Sequence, residues 1–406
     1  EDLPIVSGLL KKGVNQRIIY VALLLHDIGK GLPEDHSIAG AAMAKVIAPR
    51  LGLDQQEVET VVWLIRHHLL MSDVAQKRDL SDPRTVRDFV QVVKSTNRLN
   101  LLTILTVCDI RGVGPTTWNN WKAQLIRTLF YASQQALLEG TDKTTEFHPI
   151  DEAKAALKGA LGQKGEVLYL AELDRHYKPY WQGLDTASHI IFAHLFDQLK
   201  DKKIGIDIVP DTKRDATRAC FVMQDHPGIF SRLAGALALV RANVVDARTY
   251  TSKDGYATAV FWIQDADGKP YDTTRITRLK AMILRILQGE IVARDALKKR
   301  NKLKKRERDF IVPTAITFDN EGSEIYTIIE VDTRDRPGLL HDLTQTLSHA
   351  NIYIASAVIA TYGVQAVDVF YVKDMFGHKI HAKSKRDTIE KKLHNAITEG
   401  AKEAMS

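Results

Sequence analysis

Cysteine is nearly missing from this chain. With only 2 in 406 residues, Cys108 and Cys220, no disulfide framework can form, and a reducing, cytoplasmic setting is expected. Long apolar runs are missing as well. The stretch from Ile18 to Leu25 is far short of the ~20 residues that span a bilayer, and it stops at His26-Asp27, so no membrane partner is expected. The chain opens on Glu1-Asp2, where a secretory leader would need basic residues. It also begins without methionine and reads as a piece of something longer. Charge is nearly balanced, 56 Lys+Arg against 50 Asp+Glu, a net +6. Much of the excess sits in one run, Lys298 to Arg308, which has no aromatic interleaving. That run reads as a solvated linker helix, and no nucleic-acid partner is expected.

What is present is an ordinary folded composition, 45% hydrophobic and 26% charged, long enough for two or three domains at ~150 residues each. Apolar periodicity predicts helices around residues 16–30, 37–51, 55–71, 83–94, 98–111 and 118–138, an all-α domain over residues 1–140. A helical connector follows over 141–204. Then the texture changes to strand-rich runs, and it does so twice. Ile206 to Asp225 matches Ile316 to Asp335 at an offset of about 110 residues. Each copy has a strand, a D-x-P-G turn, a helix ending near Asn243 or Asn351, two strands around Gly255 or Gly363, and a closing helix at about 272–288 or 384–400. The copies predict two α+β modules, residues 205–290 and 310–406, separated by the basic linker 291–309. The step from Gly228 to Asn243 is two residues longer than that from Gly338 to Asn351.

The polar residues of the helical part stand out against their neighbours. His26 and Asp27 read as helical and are flanked by Val21, Leu23, Leu24, Leu25 and Ile28, where an unpaired imidazole and carboxylate would be costly. Asp109 continues the face of Leu102 and Leu105, and His68 the stripe of Val58, Val61, Val62 and Ile65. His67 points a quarter-turn away and is second choice to His68. His36 precedes a helix start at Ser37. Any one of these residues alone reads as a core histidine or a cap. Taken together they read as ligands for one divalent ion, because this donor mixture suits Mn²⁺, Fe²⁺, Zn²⁺ or Mg²⁺.

The phrases LLLHDIGKG, DHSIAGA, WLIRHHLLMSDVAQKRDLSDP and LTVCDIRGVGPTTWNNWKAQLIRTLFY, followed by the two repeats, resemble the protein-PII uridylyltransferase/uridylyl-removing enzyme family. The resemblance implies an HD domain followed by two ACT domains of ferredoxin-like βαββαβ order. It implies hydrolysis of UMP from a tyrosine of the uridylylated PII signal protein, and L-glutamine as the effector. It also implies a nucleotidyltransferase domain, which these residues do not contain, and a further His ligand upstream, which the residues ahead of His26 lack. On this reading His26, Asp27 and Asp109 hold the main metal, magnesium or manganese. His36 and His68 serve a second metal or the phosphate, and Lys30 either holds a phosphoryl oxygen or is simply an exposed lysine. In the repeats, Gly228 or Gly338 offers backbone N–H groups at a helix start to a carboxylate. Asp225 or Asp335 faces the ammonium group, and Asn243 or Asn351 offers an amide. The rival reading is a non-catalytic amino-acid sensor. A (p)ppGpp hydrolase is disfavoured, because a connector of roughly 65 residues leaves no room for a synthetase domain.

Overall fold

The computed structural model describes residues 4–11, 13–114, 117–139, 149–199, 203–290 and 312–405. The expected basic linker therefore lies outside the described residues. The chain divides into two compact units, Glu1–Thr145 and Glu146–Ser406.

Among its described residues the first unit is all helical: α1 Pro4–Lys11, α2 Gln16–Leu25, α3 His36–Arg50, α4 Gln55–Arg66, α5 Leu70–Lys77, α6 Pro83–Val93, α7 Thr96–Val113 and α8 Asn120–Glu139. Local chemistry starts most of them. Asn15, Asp35, Asp82 and Ser95 each cap the following helix through a side-chain oxygen, and Asp54 with Glu57 forms a capping box on α4. Helix α7 is the axis: Leu101 to Val107 is buried without a break, and α7 touches α1, α2, α4, α5, α6 and α8.

Two expected helices end early, and both ends matter. The helix expected over 16–30 stops at Leu25, so His26 and Asp27 lie in a turn rather than within a helix. The cause is a close chain approach: a Cβ at Gly29 would overlap the carbonyl of His36 and sit 2.8 Å from the backbone N of Gly40. The helix expected over 55–71 breaks after Arg66, which leaves His67 and His68 in the link to α5.

The second unit begins with the connector helices α9 Pro149–Leu161, α10 Glu166–Arg175, α11 Lys178–Gly183 and α12 Thr186–Leu199. The first repeat is β1 Ile204–Asp211, β2 Ala216–Gln224, α13 Ile229–Leu239, β3 Asn243–Thr251, β4 Tyr256–Gln264 and α14 Thr273–Leu287. The second is β5 Ala315–Asp319, β6 Thr327–Arg334, α15 Leu339–His349, β7 Ile352–Tyr362, β8 Gln365–Asp374 and α16 Lys383–Met405. The α+β class holds, but the element order is ββαββα. Among the described residues an edge strand, β1 or β5, precedes the βαββα part of each module.

The two repeats share one sheet of 8 strands, in the order β1-β2-β4-β3-β7-β8-β6-β5, antiparallel throughout. They meet where Asp246, Ala247 and Arg248 pair with Val358, Ala357 and Ser356. One hydrophobic core runs beneath both, from Phe221, Phe230 and Phe261 through Leu233 and Leu343 to Phe370 and Leu393. The connector is part of this unit: α12 packs on β1 and β2, and α11 on β3.

Candidate metal centre and effector cavity

The turn after α2 presents two donor side chains, His26 and Asp27, to one point. The Nδ1–H of His26 donates to the Leu23 carbonyl at 2.8 Å, and that of His68 donates to Ile65 at 2.7 Å. A carbonyl only accepts, so each ring carries its proton on Nδ1 and turns Nε2 inward, the arrangement that metal-binding histidines use. His26 Nε2 lies 3.3 Å from Asp27 Oδ2 and 3.3 Å from Asp109 Oδ1. His68 Nε2 is 3.9 Å from Asp27 Oδ1. Asp27, His36 and His68 each bring one donor atom to within 4.8 Å of the others. Lys30 Nζ contacts Asp27 Oδ2 at 2.6 Å.

The structure thus brings His26, Asp27, Lys30, His36, His68 and Asp109 to one place. His67 is elsewhere: its ring packs 5.0 Å from that of Trp63, which carries the Arg98 guanidinium on its face. The hydrogen bond to Asp109 raises the pKa of His26 against the opposing pull of burial, and the same bond lowers that of Asp109. Burial lowers the pKa of His68, which keeps its Nε2 lone pair free for a cation. Inward lone pairs, two carboxylates and backbone-fixed tautomers fit a divalent metal.

The repeats build a second site. Gly228 and Gly338 both adopt positive φ, 86° and 80°, directly ahead of α13 and α15. A cavity of about 940 Å³ opens at the first of these turns. Asp225 and Gly228 line it from the first repeat, Asn351 from the second, and Tyr177 and Tyr180 from the connector. Asp225 Oδ2 also accepts a 2.5 Å hydrogen bond from Thr251 Oγ1. Asn243, Asp335 and Gly338 do not line this cavity.

The pairing of the two asparagines is corrected by the bulges. They fall at Val244/Asp246 and Ile354/Ser356, so the offset stays 110 through this strand and no two-residue insertion exists. Asn351, at φ 57°, is the counterpart of Arg241, at φ 58°, and Asn243 is the counterpart of Tyr353. Sequence reasoning missed Tyr177, Tyr180 and Thr251, which belong to no motif and reach the cavity only through tertiary packing.

Residues 5–110 match the family model of the HD domain, and residues 323–400 that of the ACR family N-terminal ACT domain. The chain therefore contains an HD domain followed by an ACT domain. Its first repeat shows the same element order as the matched second one. The HD–ACT chain is similar over its length to bifunctional uridylyltransferase/uridylyl-removing enzymes. It is 64% identical over 404 residues to that of Cereibacter sphaeroides, covering 100% of this chain and 43% of the relative. For Ruegeria pomeroyi the values are 63% over 410 residues, 100% and 45%, and for Azospirillum brasilense 43% over 404 residues, 98% and 43%. The chain therefore spans under half the length of these relatives. The kinship read from the sequence phrases is borne out. Among the described residues, no helix is long and apolar enough to cross a membrane.

Proposed function

We propose that this chain hydrolyses the phosphodiester joining UMP to a tyrosine of the uridylylated PII signal protein, in the cytoplasm, with L-glutamine as effector. The observation that carries the reading is the convergence of His26, Asp27, His36, His68 and Asp109 on one point. The relatives' name supports the choice of reaction. His26, Asp27 and Asp109 would hold a magnesium or manganese ion, with His36 and His68 completing that set or serving a second ion or the phosphate. Such an ion, when bound, supplies positive charge to the phosphoryl group. Lys30, exposed and paired with Asp27, would hold a phosphoryl oxygen. The departing tyrosine oxygen, with a phenol pKa of about 10, leaves without needing a strong acid.

In the cavity, the N–H groups at the start of α13 suit the carboxylate of an amino acid, Asp225 its ammonium, and Asn351 a side-chain amide such as that of glutamine. The test is to incubate uridylylated PII with this chain and Mn²⁺, with and without glutamine, and to follow free UMP. Metal-dependent release that changes with glutamine is expected. Absence of release with metal present overturns the hydrolase reading.

A further inference from the structure

The connector closes one side of the effector cavity with a buried polar core that the mechanism above does not use. Glu172, near the end of α10, is wholly buried, a costly place for a carboxylate. Three groups meet it: Tyr180 Oη donates at 3.0 Å, Arg175 Nη1 lies at 2.9 Å and His176 Nε2 at 3.3 Å. Tyr180, on α11, is only 1% exposed. It stacks on His176 with ring centroids 3.6 Å apart and meets Tyr250 of β3 edge-on at 5.9 Å. Tyr180 and Tyr250 both line the cavity beside Asp225 and Gly228. From Glu172 the network runs on through Arg175, whose Nε lies 2.9 Å from Asp254 Oδ2 in the β3–β4 hairpin. Lys253 Nζ, in the same hairpin, donates to the Asp174 carbonyl at 2.6 Å. One side chain therefore touches the cavity with its ring and the buried carboxylate with its hydroxyl.

We propose that Tyr180 is a positioning residue through which occupancy of the cavity is passed to the connector. An amino acid seated against Tyr180 fixes its hydroxyl on Glu172, and with it the corner between α10 and α11. The inference rests on the effector reading above and deepens it by naming the route of the signal. Close packing makes such a route effective: a ring that shifts in a filled core displaces its neighbours instead of being absorbed by them. The connector is also the stretch of chain that leads in sequence from α8 to the first repeat.

The test is Glu172→Gln in the full chain, which keeps the shape, removes the charge and leaves the cavity lining untouched. L-glutamine affinity is measured by calorimetry, alongside the glutamine-dependent change in UMP release from uridylylated PII. Emission of Trp181, whose ring lies 5.3 Å edge-on to Tyr180, gives a third readout, isolated against Trp181→Phe. Affinity is expected to stay within about threefold of wild type while the glutamine-dependent change falls by about tenfold or more, as loss of coupling requires. The Trp181 response to glutamine should vanish with it. A folded Glu172→Gln protein with a wild-type response overturns the proposal. If that variant does not fold, Tyr180→Phe, which removes only the hydroxyl, decides on the same ratio of UMP release with and without glutamine. A wild-type chain that binds no glutamine strikes down the effector reading itself. Glutamine binding with an unchanged response in the variants strikes down the relay alone.

Discussion

His341 donates through Nδ1 to the carbonyl oxygen of Ser231 at 3.1 Å, and the two residues are 110 positions apart in the chain. They are counterparts, the third residue of α15 and the third of α13, so the contact lies where the two repeats face each other across their approximate symmetry. The contact is also lopsided, because one copy supplies an imidazole and the other only a backbone group. His341 is buried. Its replacement by Ala removes a hydrogen bond and opens a cavity between the two helices. A loss of roughly 2 kcal/mol is expected, measured by denaturant unfolding. No change in the midpoint would mean that the His341–Ser231 contact adds nothing to the hold between the repeats.

Asp109→Ala should abolish UMP release while leaving the helical circular dichroism intact. Its carboxylate is half-buried and touches His26, and α7 is fixed by apolar packing on every side. Release retained at more than a few percent of wild type would remove Asp109 from the site.

The same pair has a pH signature in metal-free protein. The folded pKa of His26 is raised, so its contribution is fully present below the ordinary histidine value of 6.5 and fades as pH rises through the folded value. That of Asp109 is lowered, so its contribution is present above the ordinary 3.8 and fades as pH falls through its folded value. Asp109→Asn should therefore cost more stability at pH 6 than at pH 9, by about 1 kcal/mol for a partly solvated pair. Equal losses at the two values would show that the pair carries no linked proton.

On the effector reading proposed above, the two asparagines should behave differently. Asn351→Ala should weaken glutamine binding by about tenfold, the usual scale for one lost hydrogen bond to a ligand. Asn243→Ala should leave binding unchanged, since Asn243 opens β3 outside the cavity. Gly228→Val is expected to abolish binding. It forces a β-branched residue to positive φ and brings its Cβ to 3.0 Å from Ser348 Oγ. Calorimetric titration of each variant checks this, and equal effects of the two alanine substitutions would count against the assignment.

Gly183→Ala tests how the connector is seated. A Cβ at this position would overlap the Tyr250 hydroxyl, and the Gly183 carbonyl accepts a hydrogen bond from Arg248. The substitution should destabilise the second unit by about 1–3 kcal/mol, the usual range for overpacking, and speed proteolysis of the connector.

Much of this was legible beforehand, for identifiable reasons. Polar side chains inside apolar runs marked His26, Asp27, His68 and Asp109, because burial there is costly without compensation. The end of α2 was not legible: the apolar pattern continues through Ile28, and only the tertiary approach of Gly29 to Gly40 stops the helix. Repeat spacing found both modules, yet nothing in either strand announces that β3 will pair with β7. The mismatch between Asn243 and Asn351 came from matching residue types instead of backbone position. The bulges, invisible to composition, restore the register. The wall provided by Tyr177 and Tyr180 comes from a connector whose pattern reads only as amphipathic helix.

The junction between β3 and β7 carries one more implication. Because the cavity is lined by both repeats of a single polypeptide, their encounter is intramolecular, and dilution does not separate them. On the effector reading proposed above, the chain should respond to an amino acid equally well whether the protein is scarce or abundant in solution. Its dose–response curve is then set by the ligand and not by how many copies of the protein are present.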